Sequence, residues 1–503
     1  MVASALLTLP WLWPFANGPT PAVLPWLASL ACGALFLLVF LAARPANLST
    51  VVAQALLVAA LTSSVIGLLQ YFGVSAALAP WINVTVPGHA FGNLRQRNQL
   101  ASLLNIGLAV LLWSAWARQA REASAQCAGK SSATACARYW PTALAVVLLA
   151  SANAATASRT GLAQLLALLL IALAWRRQRA PGTWLMLGGA VLAYGVASVL
   201  LPLLAGLDPL ASGIMARFGD AGQSCESRLI LWRNVLYLIA QKPWFGWGWG
   251  ELDYAHFATL YPAARFCDIL DNAHNLPLHL AVELGLPVAA GVCALLAWLL
   301  WRASPWRETR ADRQMAWAVL ALIALHSLLE YPLWYGPFQL TLVSCLMVLW
   351  PRARSAAGCQ PLRRAWMASA SVLLAALAYA AWDYWRVSQI YMAPERRAPA
   401  YRHDTLLKIE GSWLYRRQVR FAALTTSTVD AGNAAQINRS ARELLHFSPE
   451  PRVIEKLLAS ARVLHRDDEL AYFVERYRAA FPQQHARWLA AQDDPARTTT
   501  DEP

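Results

Sequence analysis

Charge is scarce in this chain. Of its 503 residues only 14% are charged against 58% hydrophobic, and the mean hydropathy is +0.39. A soluble domain carries about 25% charged residues, so an ordinary soluble protein is excluded. Lysine is scarcer still, and the net charge of +14 comes overwhelmingly from arginine. The eight cysteines include no C-x-x-C pair, which argues against zinc or thiol-redox motifs. Also missing are a Walker loop, an H-E-x-x-H, a G-x-S-x-G and a D-x-D for a divalent ion with a nucleotide-sugar diphosphate. The start, "MVASALLTLPWLWPF", has neither a basic n-region nor a small-residue cleavage site, so no cleaved signal peptide is expected.

Long apolar runs are what the chain does have. Runs of about 17–25 residues, long enough to cross a bilayer, recur to about residue 385. The expected fold is all-α: a polytopic helical membrane protein with about 11 transmembrane helices. The spans are read at 1–16, 22–43, 50–72, 98–116, 141–157, 161–175, 183–205, 275–301, 315–333, 336–350 and 366–385. Four regions follow: N-terminal transmembrane helices (1–205), a long loop (206–273), C-terminal transmembrane helices (274–385) and a polar helical tail (386–503). Arginine and lysine gather in alternate loops, around Arg44, Arg118 to Arg138, Arg176 to Arg179, Arg302 to Arg313, and Arg352 to Arg364. Positive-inside retention makes these the cytoplasmic side, so the basic balance calls for no nucleic acid. The other side receives "WINVTVPGHAFGNLRQRN", the turn "SRTG", the long loop, the turn "EYPLWYG" and the tail. Most of the unusual polar residues collect there.

The long loop is too apolar to be a loose linker. "SRLILWRNVLYLIAQ" has helical spacing and reads as an amphipathic helix on the membrane surface. "PWFGWGWG" lacks a following Lys-Ser/Thr, so it reads as a tight turn at the lipid–water interface, where tryptophan is favoured. Cys225 and Cys267 share this loop and can form a disulfide if it faces an oxidising compartment. In the tail, "AAQINRSARELLHF", "PRVIEKLLASARVL" and "DELAYFVERYRAAF" each read as an amphipathic helix. The terminal "DDPARTTTDEP" reads as disordered.

Candidate chemistry centres on "DNAHN", where His274 lies at a span entrance. It is either an interfacial residue bound to a carbonyl or a general base with a suitable pKa. His279 with Glu283, and His326 with Glu330, are pairs four residues apart that meet on one helix face. Buried ionisable groups mark a polar interior, and for these four a supporting role is favoured. Arg159, in "ASRTG", breaks the charge rule by facing away from the cytoplasm. Arg228 opens the surface helix, and Arg95 and Arg97 precede a span. Guanidinium forks suit phosphate oxygens, whether of lipid headgroups or of a substrate. Asp268 and Asp271 offer only a weak metal site, since oxygen cages need more ligands. A base, several cations and an outer membrane face suggest a diphosphate substrate anchored in lipid.

Together "FGNLRQRNQLASLL", "SRTG", "SRLILWRNVLYLIAQKPWFGWGWG", "DNAHNLPLHLAVELGLP" and "HSLLEYPLWY" resemble the bacterial protein O-oligosaccharyltransferases of the PglL type. That group lies in a superfamily with O-antigen ligases and polymerases. The motifs cover residues 85–350, and the tail is similar to the family's C-terminal region. The resemblance implies en bloc transfer of an oligosaccharide from undecaprenyl pyrophosphate to Ser or Thr of a periplasmic or pilin-like acceptor protein. It implies the bacterial inner membrane with the active site facing the periplasm, and no metal, cofactor or nucleotide sugar. Carried over, the catalytic residues are His274, Gln96 and Tyr331, and the pyrophosphate is held by Arg159 and Arg228, with Arg95 and Arg97 beside them. Asn93, Asn98, Asn275 and Glu330 are expected to support these groups. Relatives often carry His where this chain has Gln99, so no role is carried over to it. The alternatives are an O-antigen ligase acting on lipid A core, a polymerase of lipid-linked repeats and, from another class, a transporter with an intramembrane His/Glu relay. The transporter predicts broken helices and a midplane site.

Overall fold

The computed structural model describes residues 1–43, 47–126, 135–176, 181–219, 225–350 and 360–493. The basic segments at 44–46, 127–134, 177–180 and 351–359, and the terminal stretch 494–503, lie outside these. Among the described residues there are helices and no strands. The protein is an all-α polytopic membrane protein. Among the described residues, six helical segments are long and apolar enough to cross a bilayer: Val23–Ala43, Leu48–Tyr71, Arg97–Ala115, Gly182–Leu204, Leu286–Arg307 and Gln360–Tyr391. Four shorter apolar helices, Val2–Leu12, Trp140–Ala155, Arg159–Ala174 and Gly336–Leu349, fall at other expected spans.

The chain forms two compact units: Met1–Ala221 with Trp298–Ala381, and Gly222–Ala297 with Trp382–Pro503. Unit 1 holds α1 (Val2–Leu12), α2 (Val23–Ala43), α3 (Leu48–Tyr71), α4 (Arg97–Gln126), α5 (Ala135–Ala155), α6 (Arg159–Ala174), α7 (Pro181–Leu204) and α8 (Gly213–Gly219). One buried core joins α3, α4, α5 and α6 through Leu56, Leu103, Leu149 and Leu165. Close approach depends on small residues. A Cβ on Gly161 would meet Ala101 and the Asn153 side chain, both at 2.6 Å, so glycine sets the α4–α6 distance.

Unit 2 joins the long loop to the tail. It begins with α9 (Arg228–Gln241), α10 (Leu252–Ala258) and α11 (Leu276–Leu284). The expected surface helix is α9. Leu231, Asn234, Val235, Leu238 and Ile239 form its buried stripe, at the i, i+3, i+4, i+7, i+8 spacing of an amphipathic helix. Leu229 and Leu236 face outward. The tail supplies α16 (Thr405–Ile409), α17 (Arg416–Thr426), α18 (Ala434–Leu445), α19 (Pro451–Val463), α20 (Asp467–Ala480) and α21 (Pro482–Asp493). Phe257 of α10 belongs to the same core as Leu457, Leu458 and Tyr477 of the tail. Arg476 Nε also donates to the Ala258 carbonyl at 2.8 Å.

One expected span is corrected. The stretch 275–301 is not a single helix: α11 ends at Leu284 and α12 (Leu286–Ala303) starts after Gly285. The cause is the Gly-Trp turn, which docks on the end of α11. Trp247 N–H donates to the Val282 carbonyl at 2.8 Å, Gly248 N–H to Glu283 at 2.9 Å, and Leu286 N–H to Pro243 at 2.8 Å. The turn therefore satisfies carbonyls that the end of a helix leaves open. Beyond α12 come α13 (Ala311–Ser327), α14 (Gly336–Leu349) and α15 (Gln360–Ser388).

Candidate active site

In unit 2 the site is built on α9. Arg228 is the first residue of that helix. The His274 segment is fastened to it at several points. Cys225, just before α9, is bonded to Cys267, with Cα atoms 5.5 Å apart and a separation of 42 positions in sequence. Asn234 Nδ2 donates to the Ala264 carbonyl at 3.0 Å, and its Oδ1 accepts from Phe266 N–H at 2.8 Å. Trp232 Nε1 donates to the Ala273 carbonyl at 3.1 Å. His274 follows at once, with φ of 51°, a left-handed conformation uncommon outside glycine and asparagine. Its N–H is held by Asn272 Oδ1 at 2.9 Å. Asn275 caps α11, its Oδ1 accepting from Leu278 N–H at 3.0 Å.

Burial, then the charge of Arg228, then His279 push the His274 imidazole down to about 4. The structure thus brings Arg228 within electrostatic reach of His274. One turn into α11, His279 Nε2 meets Glu283 at 3.5 Å, and both are buried. The two expected partners do face each other.

His256 was not singled out by its sequence context. It is buried, with Nδ1 on Tyr261 Oη at 2.8 Å and Nε2 on the Phe266 carbonyl at 3.1 Å. Burial, then Arg265, hold it down to about 3. The unfolded chain binds a proton near pH 6.5 that the folded one refuses. Stability is therefore full above about pH 6.5 and falls on acidification toward pH 3. Hydrogen exchange of α10, corrected for intrinsic rates, should speed up between pH 6.5 and 4.5 in the wild type. A His256→Phe variant that still folds should lose that acid sensitivity.

In unit 1 the other candidates gather where α3 ends and α4 and α6 begin. Gln96 caps α4: its Oε1 accepts from Gln99 N–H at 2.9 Å and from Asn98 N–H. Asn98 Nδ2 donates to Glu330 at 2.8 Å, and Asn98 Oδ1 accepts from Ser158 Oγ at 2.6 Å. Ser158 caps α6 through Gly161 N–H at 2.9 Å, which sets exposed Arg159 in the first turn. Tyr331 follows Glu330 and stacks on Tyr335, with centroids 5.8 Å apart. Asn93 ties the loop together, donating to the Leu12 and Trp81 carbonyls at 2.8 and 2.9 Å. Arg95, at φ 61°, donates to Asn83 Oδ1 at 3.1 Å and to the Pro14 carbonyl. Arg97 lies over Phe91 at 5.2 Å.

Below this rim runs a buried polar network. Ser102 Oγ joins Gln164 at 3.0 Å and His326 Nδ1 at 2.9 Å. Asn105 Nδ2 donates to the Gly161 carbonyl at 2.9 Å, and Gln164 Nε2 to the Leu322 carbonyl at 2.9 Å. His326 thus bonds to Ser102, while Glu330 bonds to Asn98. Gln70 is fully used: Oε1 accepts from Phe91 and Gly92 N–H, and Nε2 donates to the Asn83 and Gly92 carbonyls. Among the described residues, the His/Cys/Asp/Glu groups close enough to share an ion are Glu226, Cys267 and Asp268. Asp271 is not among them, and the Cys267 sulfur is already in the disulfide.

Comparison with known proteins gives first a class. Residues 90–113 match the model for protein glycosylation ligases, 144–293 that for O-antigen ligases, and 314–494 that for the C-terminal part of the virulence factor membrane-bound polymerases. The motifs "GNLRQRNQ", "DNAHN" and "HSLLEYPLWY" each fall inside one of these stretches. More particularly, the chain is similar to the general O-oligosaccharyltransferase of Acinetobacter baylyi, 31% identical over 118 residues, or 23% of this chain and 20% of that one. It is also similar to the ComP-specific O-oligosaccharyltransferase of the same organism, 27% identical over 113 residues, or 22% of this chain and 20% of that one. The matched stretches thus span about a fifth of the length of these curated relatives. No solved structure matches. The resemblance to PglL-type protein O-oligosaccharyltransferases within the O-antigen ligase superfamily is borne out.

Proposed function

We propose that this chain is an O-linked oligosaccharyltransferase. It moves a glycan en bloc from undecaprenyl pyrophosphate to Ser or Thr of periplasmic or pilin-like proteins, at the periplasmic face of the inner membrane. The observation that carries the reading is His274: an imidazole held neutral, in a left-handed turn, within electrostatic reach of Arg228. The acceptor hydroxyl attacks the anomeric carbon of the first sugar and gives its proton to His274. The bond from that carbon to the pyrophosphate oxygen breaks, and its electron pair leaves with the lipid pyrophosphate. Arg228 and Arg159 stabilise that developing charge; Gln96 and Tyr331 orient sugar or phosphate. Direct displacement inverts the anomeric centre. No step is assigned to a metal ion. The disulfide between Cys225 and Cys267 supports an oxidising side for this loop.

Transfer to lipid A core is the second reading, favoured by the match of 144–293 to O-antigen ligases. Deleting the gene separates the two. Loss of glycans from periplasmic and pilin-like proteins with lipopolysaccharide unchanged is expected. Loss of O-antigen with glycoproteins intact would reverse the assignment.

A further inference from the structure

The tail in unit 2 begins with a collar around the end of α15. That helix belongs to the segment Gln360–Tyr391, long and apolar enough to cross a bilayer. Near its end Trp382 and Trp385 are exposed, three residues apart and so on one face. Tryptophan so placed marks the lipid–water boundary of a span.

The chain then turns back and fastens itself to these same turns. Val387 shares a small core with Ile409 of α16 and Val419 of α17. Ser412 Oγ donates to Asp383 Oδ2 at 2.8 Å in a buried bond, and Arg386 holds Asp383 Oδ1 at 2.6 Å. Tyr415 packs edge-on against Tyr384, and Tyr401 against Trp385, with centroids 5.1 and 5.7 Å apart. Residues 401–415 are thereby pinned level with 383–387, where α15 leaves the membrane.

This collar turns apolar side chains outward. Leu407 is 71% exposed and Trp413 69%, with Leu414 beside it, while the neighbouring Leu406 and Tyr415 pack inward. Cations share the surface: Arg396, Arg402, Lys408 and Arg416 are exposed. From 382 to 420 the sequence holds eight Arg or Lys against four Asp or Glu, and Asp383 is already paired with Arg386. Exposed Leu and Trp among arginines are the composition of a surface that lies in the headgroup layer. An acidic protein with an apolar face has matching chemistry, but the height of the collar favours lipid. Its outward residues are level with Trp382 and Trp385.

We infer that residues 396–416 form a lipid-docking surface. Leu407, Trp413 and Leu414 enter the boundary between headgroups and acyl chains, and Arg396, Arg402 and Arg416 hold anionic headgroups. The helices that follow, α17 to α21, therefore start at a fixed height over the bilayer. This inference is independent of the transferase reading.

The test is photolabelling of the full-length protein in nanodiscs of mixed phosphatidylcholine and phosphatidylglycerol. Each lipid in turn carries a diazirine at the top of an acyl chain. Exposed Leu295 and Leu299 of α12 report that the probe reaches the lipid-facing surface. Peptides covering 405–415 should be labelled by both lipids, more by phosphatidylglycerol, and that preference should fade in high salt. Arg396→Gln/Arg402→Gln/Arg416→Gln should lower the phosphatidylglycerol label about tenfold, toward the phosphatidylcholine level. Leu407→Ser/Trp413→Ser should remove the label of both lipids; Trp413→Ser alone should weaken it if the double variant folds poorly. Label on α12 without label on 405–415 overturns the docking surface. Equal labelling by the two lipids, unmoved by the arginine variant, overturns the anionic preference. Lipid label unchanged in Leu407→Ser/Trp413→Ser, with loss of acceptor-protein capture, would give the surface to a protein partner instead.

Discussion

Replacing His274 with Asn is expected to cut glycan transfer by about 10²–10⁴-fold, the usual worth of a general base. The fold should survive. Asn tolerates the left-handed backbone that His274 adopts at φ 51°, so any loss of activity cannot be blamed on strain. His274→Gly is the second control, since glycine relaxes that conformation altogether. A chemical role predicts both variants stable and inactive. If either still transfers glycan at wild-type rates, His274 is not the base. The pH profile adds a sharper reading. Burial, then Arg228, then His279 hold His274 down to about 4. The imidazole is therefore neutral and able to accept a proton throughout neutral pH. The acid limb of the rate should lie near pH 4 rather than near about 6.5. Arg228→Gln removes a cation that disfavours the imidazolium, so the limb should move upward. It should stop short of the free value because burial, the larger cause, remains. Arg228→Gln should also slow transfer if the same guanidinium stabilises the leaving pyrophosphate. A lower rate with an unmoved limb would confine Arg228 to the phosphate.

Much of this arrangement was legible in the sequence because it depends on local pattern. The apolar stripe of α9 was readable from its spacing, and so were the long spans and the tail helices at 434–445, 451–463 and 467–480. The polar rim was legible too, since residues such as Asn98 and Glu330 are out of place in a membrane protein unless something meets them. Their partner was not legible: Asn98 and Glu330 are 232 residues apart in sequence and meet at 2.8 Å. The same holds for Asn105 with Gly161, and for Gln70 with the backbone of the loop after α3. Such residues look like ordinary polar substitutions in an apolar run until the fold brings a carbonyl or amide to them. His256 lies three residues after Asp253 in a short helix, but its two hydrogen-bond partners, Tyr261 and the Phe266 carbonyl, come from the loop that follows it. The break at Gly285 was hidden for a related reason. A glycine in an apolar run is tolerated in a helix, and only the docked turn makes it a terminator.

That docked turn makes the largest stability effect predictable. Gly246 and Gly285 face each other's neighbours: a Cβ on Gly246 would strike the Glu283 carbonyl, and a Cβ on Gly285 would strike the Trp244 carbonyl. Both have positive φ, 67° and 87°. Neither carbonyl can retreat easily. Trp247, Gly248 and Leu286 N–H groups pin the two strands of backbone at 2.8–2.9 Å. Gly246→Ala or Gly285→Ala should each cost roughly 2–4 kcal/mol, combining strain with lost hydrogen bonds. Gly250 provides the internal control. It has φ of 76° but open space where a Cβ would go, so Gly250→Ala should cost only the conformational part, about 1 kcal/mol. The double variant Gly246→Ala/Gly285→Ala should cost clearly less than the sum, because lifting the turn once relieves both collisions. Thermal unfolding of the four variants in detergent checks the ranking. Equal losses at 246, 250 and 285 would mean that backbone conformation, not crowding, governs the turn. Additive losses at 246 and 285 would mean that the two collisions are relieved separately. Loss of the turn frees the end of α11, whose other end is capped by Asn275 beside His274. Transfer activity should therefore fall together with stability at 246 and 285, and much less at 250.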